Sequence, residues 1–172
     1  MKKLTLALTK ILNPIYFFAG YASGIAIIII AILMFYDVVL RYIFNSPTYW
    51  VDEVSEYIIV WAVFISMAWV LKMNKHIRVE LVFDRLSEFW KQIASLICIL
   101  SSLFFFILFI YASIQMTLQS FTLGRTSISP LHMPMVIPHL GLVVGGILVF
   151  LQLLINLNRY FFLQEDESKK DK

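Results

Sequence analysis

Cysteine occurs once, as Cys98 inside an apolar run, so no disulfide can form within the chain and no CxxC redox or metal motif exists. Cys98 itself reads as a small core or lipid-facing residue. Catalytic apparatus is equally sparse: the sequence has no glycine-rich phosphate loop and no HExxH zinc motif. No apolar run carries an acid or a histidine in its middle third, where a proton relay or ion site is usually built. The broken midplane helices of an independent transporter are missing as well. The three histidines are His76, His132 and His139. At most one falls inside an apolar run, whereas a four-helix haem anchor needs axial ligands facing each other across the bundle. Lys and Arg cluster in three places, which suits membrane orientation better than nucleic-acid binding.

What the chain has in excess is apolar surface. Of its 172 residues 60% are hydrophobic, and the mean hydropathy is +0.83. Soluble domains are nearer half apolar, and here the excess lies in runs longer than the roughly 20 residues a helix needs to cross a bilayer. The first run follows Lys2, Lys3 and Lys10 and could pass for a signal peptide, but it continues through residues 25–35. A cleaved signal has a short apolar region, so this one is expected to stay as the first span.

The fold class expected is an all-α integral membrane protein with four transmembrane helices and one amphipathic in-plane helix between spans two and three. A basic tail covers residues 1–13, a single four-helix membrane domain 14–163 and a charged tail 164–172. The spans are expected over about 14–44, 48–71, 93–118 and 134–162, with the amphipathic helix over about 76–92. Pro14 suits a first helical turn, and Ser46-Pro47 suits the cap and first position of span two. Pro130, Pro134 and Pro138 recur at four-residue spacing, so the last helix is expected to begin at Pro134 and kink at Pro138, or to begin at Pro138. Gly20-x-x-x-Gly24 and Gly141-x-x-x-Gly145 offer flat patches for close helix approach, and Gln115 and Gln119 can bond to neighbours.

In the 76–92 stretch Val79, Val82, Phe83, Leu86 and Trp90 follow helical spacing, while Lys, Arg and acids fill the other face. Such a helix lies in the membrane surface or against a partner; the alternative is a solvated loop helix packed on its own bundle. Orientation follows from charge. The amino-terminal tail holds three Lys/Arg, residues 72–91 hold five and residues from Arg159 onward hold four; the other side has only Arg41 and Arg125. Twelve against two places both termini in the cytoplasm.

Polar residues gather at the opposite corner, over 37–56. Asp37 and Arg41 stand i,i+4 and can pair. Asp52 and Glu53 fall where a helix dipole favours acids. Arg41 could also pair with Glu53 or Glu56. The set Asp37, Arg41, Tyr42, Pro47, Trp50, Glu53 and Glu56, with Arg125 and Ser127 from the later loop, reads either as hairpin-fixing or as a partner-contact surface.

Arg41-Tyr-x-Phe44-x-x-Pro47-x-x-Trp50-x-x-Glu53 resembles the first signature of the small membrane subunit of tripartite ATP-independent periplasmic (TRAP) transporters. His76-Ile-Arg78-Val79-Glu80-Leu81 is similar to its second signature. Gly124-Arg125-x-Ser127, followed by Pro134 and a glycine-containing last span, is similar to its third. Ser66-Met67 departs from the small glycine common in span two. The resemblance implies a subunit without a catalytic centre or cofactor of its own. It implies a large multi-span membrane subunit carrying the substrate and sodium sites, and a periplasmic substrate-binding protein delivering an organic acid. It also implies a bacterial inner-membrane location with contacts to lipid. A redox-enzyme membrane anchor and a stand-alone assembly factor are the alternatives.

Overall fold

The computed structural model describes residues 2–73 and 87–170. Four helices carry them: α1 Lys2–Ile43, α2 Val51–Lys72, α3 Glu88–Thr122 and α4 Val136–Lys170. Each contains a stretch long and apolar enough to cross a bilayer, namely Thr9–Ile43, Val51–Lys72, Trp90–Thr122 and Val136–Asn158. The chain is therefore an all-helical multi-pass membrane protein. Among the described residues no strand forms; one isolated bridge joins Thr126 to Pro134.

Helices adjacent in sequence run antiparallel. Gly20 of α1 meets Trp69 near the end of α2, and Tyr160 of α4 donates to the Gln92 carbonyl of α3 at 2.9 Å. The spatial order is α1–α2–α4–α3, with only a light contact between α1 and α4. This puts α2 and α4 side by side and parallel in the middle. Over an apolar 18-residue segment of each, 28% and 33% of residues are buried, against 11% in each of the flanking helices.

The seam between α2 and α4 is close because glycine makes it so. A Cβ at Gly145 would collide with the Phe64 Cβ and lie 2.7 Å from the Phe64 backbone, and one at Gly141 would lie 3.2 Å from the Trp61 ring. Lipid tails are as apolar as leucine, so helices in a bilayer associate through tight packing of this kind. Both glycines of the 141–145 pattern thus serve the seam. Of the earlier pair only Gly20 is at a contact; nothing faces Gly24.

The two ends of the bundle differ. Toward the termini all four helices meet in one buried cluster, to which α1 gives Leu12 and Tyr16, α2 Ala68 and Leu71, α3 Leu103 and Phe106, and α4 Val149 and Leu153. The Tyr16 hydroxyl donates to the Leu148 carbonyl there at 3.1 Å. Toward the two hairpin turns α1 and α4 diverge and leave an apolar crevice of about 380 Å³. Its walls are Ala22 and Ala26 on one side and Ile137 on the other, and its floor is Tyr57 and Trp61 of α2.

Several local expectations are corrected. Pro14 lies inside α1, not in its first turn. Residues before it continue the helix, and Leu12 is buried in the four-helix cluster, which carries the helix through the bond that proline cannot make. Pro138 is the third residue of α4; a first-turn N–H has no acceptor within the helix, so no kink is required. Span two starts at Val51 behind Trp50, which makes no side-chain cap, so Ser46 and Pro47 belong to the turn. Gln115 and Gln119 are exposed, and the polar residues buried on α3 are Ser113 and Ser120. Ser66 is half-buried and bonds to the Val63 carbonyl of its own helix at 3.1 Å. The expected in-plane helix falls mostly on residues 74–86, so Val79, Val82, Phe83 and Leu86 lie outside the described residues. Residues 88–92 form the first turns of α3, where Trp90 is exposed.

Candidate functional site

The polar residues of the turn end form two separate clasps. The first closes the α1–α2 turn. Asp37, buried near the end of α1, accepts from the Arg41 guanidinium at 2.7 Å and from the Thr48 backbone N–H at 3.0 Å. The Thr48 hydroxyl donates to the same carboxylate. Arg41 also reaches Asp52 at the start of α2, at 3.6 Å. Asn45 takes a left-handed conformation, φ 51°, between them, which asparagine tolerates better than most residues. The turn is thus tied to α1 through one carboxylate, and Arg41 bridges the two helices.

The second clasp closes the α3–α4 loop onto α2. Helix α3 ends on Gly124, φ 57°. The Arg125 N–H returns to the Ser120 carbonyl at 3.0 Å and the Gly124 N–H to the Phe121 carbonyl at 3.4 Å, the pattern of a glycine C-cap. The chain then doubles back: Met135 N–H donates to the Arg125 carbonyl at 3.0 Å, and Ser127 N–H to the Met133 carbonyl at 2.9 Å. At the tip Ser129 donates its hydroxyl to Glu53 of α2, and the Ser127 and Ser129 hydroxyls lie 3.1 Å apart.

Glu53 begins a ladder down one face of α2. Tyr57, one turn on, donates to the Met133 carbonyl at 3.4 Å. Trp61, a further turn on, donates from Nε1 to the Ile137 carbonyl at 3.0 Å. Residues spaced by four share a helix face, so a single stripe of α2 holds the loop and the first turn of α4. Glu53 is buried, and its Oε1 has no geometrically good hydrogen bond. Serine hydroxyls, the Tyr57 hydroxyl and the Met133 backbone nevertheless crowd the carboxylate. A third tie, between Ser120 Oγ and His139 Nδ1 at 2.9 Å, joins α3 to α4 at the same level.

Arg41 therefore pairs with Asp37 and Asp52, not with Glu53 or Glu56, because Glu53 is turned toward the later loop. Glu56 is exposed, as are Tyr42, Pro47, Trp50 and Arg125. Ser127 is half-buried inside the second clasp. Thr48, Tyr57, Ser129 and His139 also take part and carried no signal beyond being polar near a span end. The clasps hold backbone in place; among the described residues no cluster of His, Cys, Asp and Glu is arranged to hold a metal ion.

Residues 30–162, which include both clasps, match the family model described as tripartite ATP-independent periplasmic transporters, DctQ component. The chain belongs to this DctQ family. It is 29% identical over 143 residues to a Haemophilus influenzae protein described as "Putative TRAP transporter small permease protein", covering 82% of this chain and 86% of the relative. A second H. influenzae protein with the same description is 26% identical over 102 residues, covering 59% of this chain and 62% of that one. For a DctQ-family chain the two clasps have a plain consequence. The first resemblance, Arg41 to Glu53, and the third, Gly124 to Pro134, are 71 residues apart at their nearest ends, yet Glu53 and Ser129 join them in space.

Proposed function

We propose that this DctQ-family chain is the accessory small subunit of a sodium-coupled TRAP secondary transporter. It braces a large multi-span membrane subunit and helps present a docking face to a periplasmic substrate-binding protein during uptake of an organic acid of the dicarboxylate or sialic-acid type. Family membership carries the reading. The placement of polarity supports it: the buried carboxylates Asp37 and Glu53 fix turns at one end of the bundle, which suits a scaffold better than a translocation path. Sodium coupling and substrate selection belong, on this reading, to the large subunit. The protein sits in the bacterial inner membrane with both termini in the cytoplasm, as the twelve-to-two distribution of Lys and Arg favours. The clasps then face the periplasm. The apolar positions Val79, Val82, Phe83 and Leu86, together with Trp90 at the start of α3, contact the cytoplasmic membrane surface or the large subunit.

The test is purification in mild detergent with the products of the neighbouring genes, joined to uptake assays in a deletion strain. A large multi-span protein should co-purify, and organic-acid uptake should fall when this chain is removed. No such companion, together with intact uptake, would defeat the proposal.

A further inference from the structure

Ile128 is fully exposed, at 103% of its reference surface, at the tip of a loop that is otherwise firmly held. The serine after it donates to Glu53. The serine before it is tied through its N–H to Met133 at 2.9 Å and through its hydroxyl to Ser129 at 3.1 Å. A further turn, His132 N–H to the Ser129 carbonyl at 3.1 Å, closes the tip with His132 in the left-handed region at φ 48°. That conformation is uncommon outside glycine. Both serines thus turn toward α2, and the β-branched side chain between them is left standing outward as a peg.

Several unfavourable features are gathered to hold this geometry. A carboxylate is buried, which is tolerated only when hydrogen-bonded, and a histidine takes a left-handed backbone. Fluid lipid accepts an isoleucine in any orientation and gives no reason to fix one. A pocket in a folded protein does, because a loop whose backbone is fixed beforehand loses less entropy on binding, and a few side chains that fill pockets carry most of an interface's energy. The height of the peg narrows the partner. Glu53 lies in the first turn of α2, inside the apolar stretch Val51–Lys72, so the peg stands at the edge of the bilayer. A membrane-embedded neighbour can reach it more readily than a soluble protein can.

We propose that Ile128 is a preorganised anchor that inserts into an apolar pocket on the large membrane subunit, near the membrane surface at the turn end of the bundle. This rests on the assembly described under Proposed function.

The experiment uses the full chain with Cys98→Ser and Ile128→Cys, so that position 128 carries the single thiol. Reactivity toward a polar maleimide is compared for the chain alone and for its complex with the large subunit. Reaction should be at least about tenfold slower in the complex, and a photo-crosslinker placed at 128 should give an adduct with the large subunit. Equal reactivity in the two states overturns the anchor, as does crosslinking only to lipid or only to the binding protein. In a second variant, Ile128→Asp, complex yield should drop while the thermal midpoint of the chain alone stays put, since the exposed side chain supports nothing within the chain; an undiminished yield also overturns it. If the unmodified chain captures no large subunit, the assembly reading fails and the anchor falls with it. A complex that forms with position 128 still reactive defeats the anchor alone.

Discussion

Asp37 and Glu53 occupy the same end of the bundle but restrain different backbone. Asp37 receives Thr48 and Arg41, so Asp37→Ala should speed amide exchange over residues 44–50 and leave 125–135 protected. Glu53→Gln should do the reverse, because an amide offers its NH₂ where the serine hydroxyls need an acceptor. Hydrogen exchange resolved by peptide checks both, and a common loosening of the two loops would show one shared network. Arg41 and Glu53 have no partner in common, so the thermal shifts of Arg41→Ala and Glu53→Ala should add in a double-mutant cycle. The Asp37–Arg41 pair was legible in the sequence because its members stand one helical turn apart. The Glu53–Ser129 bond was not: 76 residues separate its ends, and a serine in a loop carries no pattern that points to a carboxylate. Tyr57 and Trp61 gave no signal at all, since what their polar atoms bond to are backbone carbonyls, which every sequence has.

Between helices, glycine decides how near α2 and α4 come. Gly145→Ala sets a methyl against the Phe64 backbone, which cannot yield without moving a helix, so the variant should lose roughly 1–3 kcal/mol, read as a lower unfolding midpoint in detergent. Gly20→Ala meets only the Trp69 side chain, at 2.9 Å, and the ring can swing, so its loss should be smaller. Trp61→Phe keeps the ring against Gly141 but drops the bond to Ile137 and should cost about 1 kcal/mol. Equal effects at Gly145 and Gly20 would count against the α2–α4 seam as the tighter one. Four apolar helices were legible from hydropathy and length alone, and the 141–145 glycine spacing marked the right face of α4. Gly20 and Gly24 share that spacing, yet only Gly20 meets a neighbour, the Trp69 ring of α2, while Gly24 faces open space. Proline misled at helix starts for a physical reason. Its missing N–H is harmless in a first turn and tolerable deeper in a membrane helix, so the residue alone does not say which position it holds.

Two hairpins are joined along the α2–α4 seam, closed at the terminal end and splayed at the other. The flanking apolar stretches, Thr9–Ile43 and Trp90–Thr122, have 35 and 33 residues; at 1.5 Å per residue they are about 50 Å long against a hydrocarbon core of about 30 Å. They must tilt or project beyond the core, whereas α2, with 22 residues, fits it closely. Orientation can be read with the single native thiol removed. In a Cys98→Ser background an impermeant maleimide added to intact spheroplasts should label Asn45→Cys and spare Lys10→Cys, and the opposite pattern would invert the topology. The path order α1–α2–α4–α3 lay beyond the reach of the sequence, because apolar faces alone do not say which helix meets which. The distance along the chain between Glu53 and its serine has a consequence for biogenesis. At roughly 5–20 residues per second, Ser129 leaves the ribosome about 4–15 s after Glu53. Throughout that interval the carboxylate waits at the bilayer edge with its hydroxyl partner unmade. The clasp can form only when the second hairpin arrives, and its closure then marks the completion of the subunit.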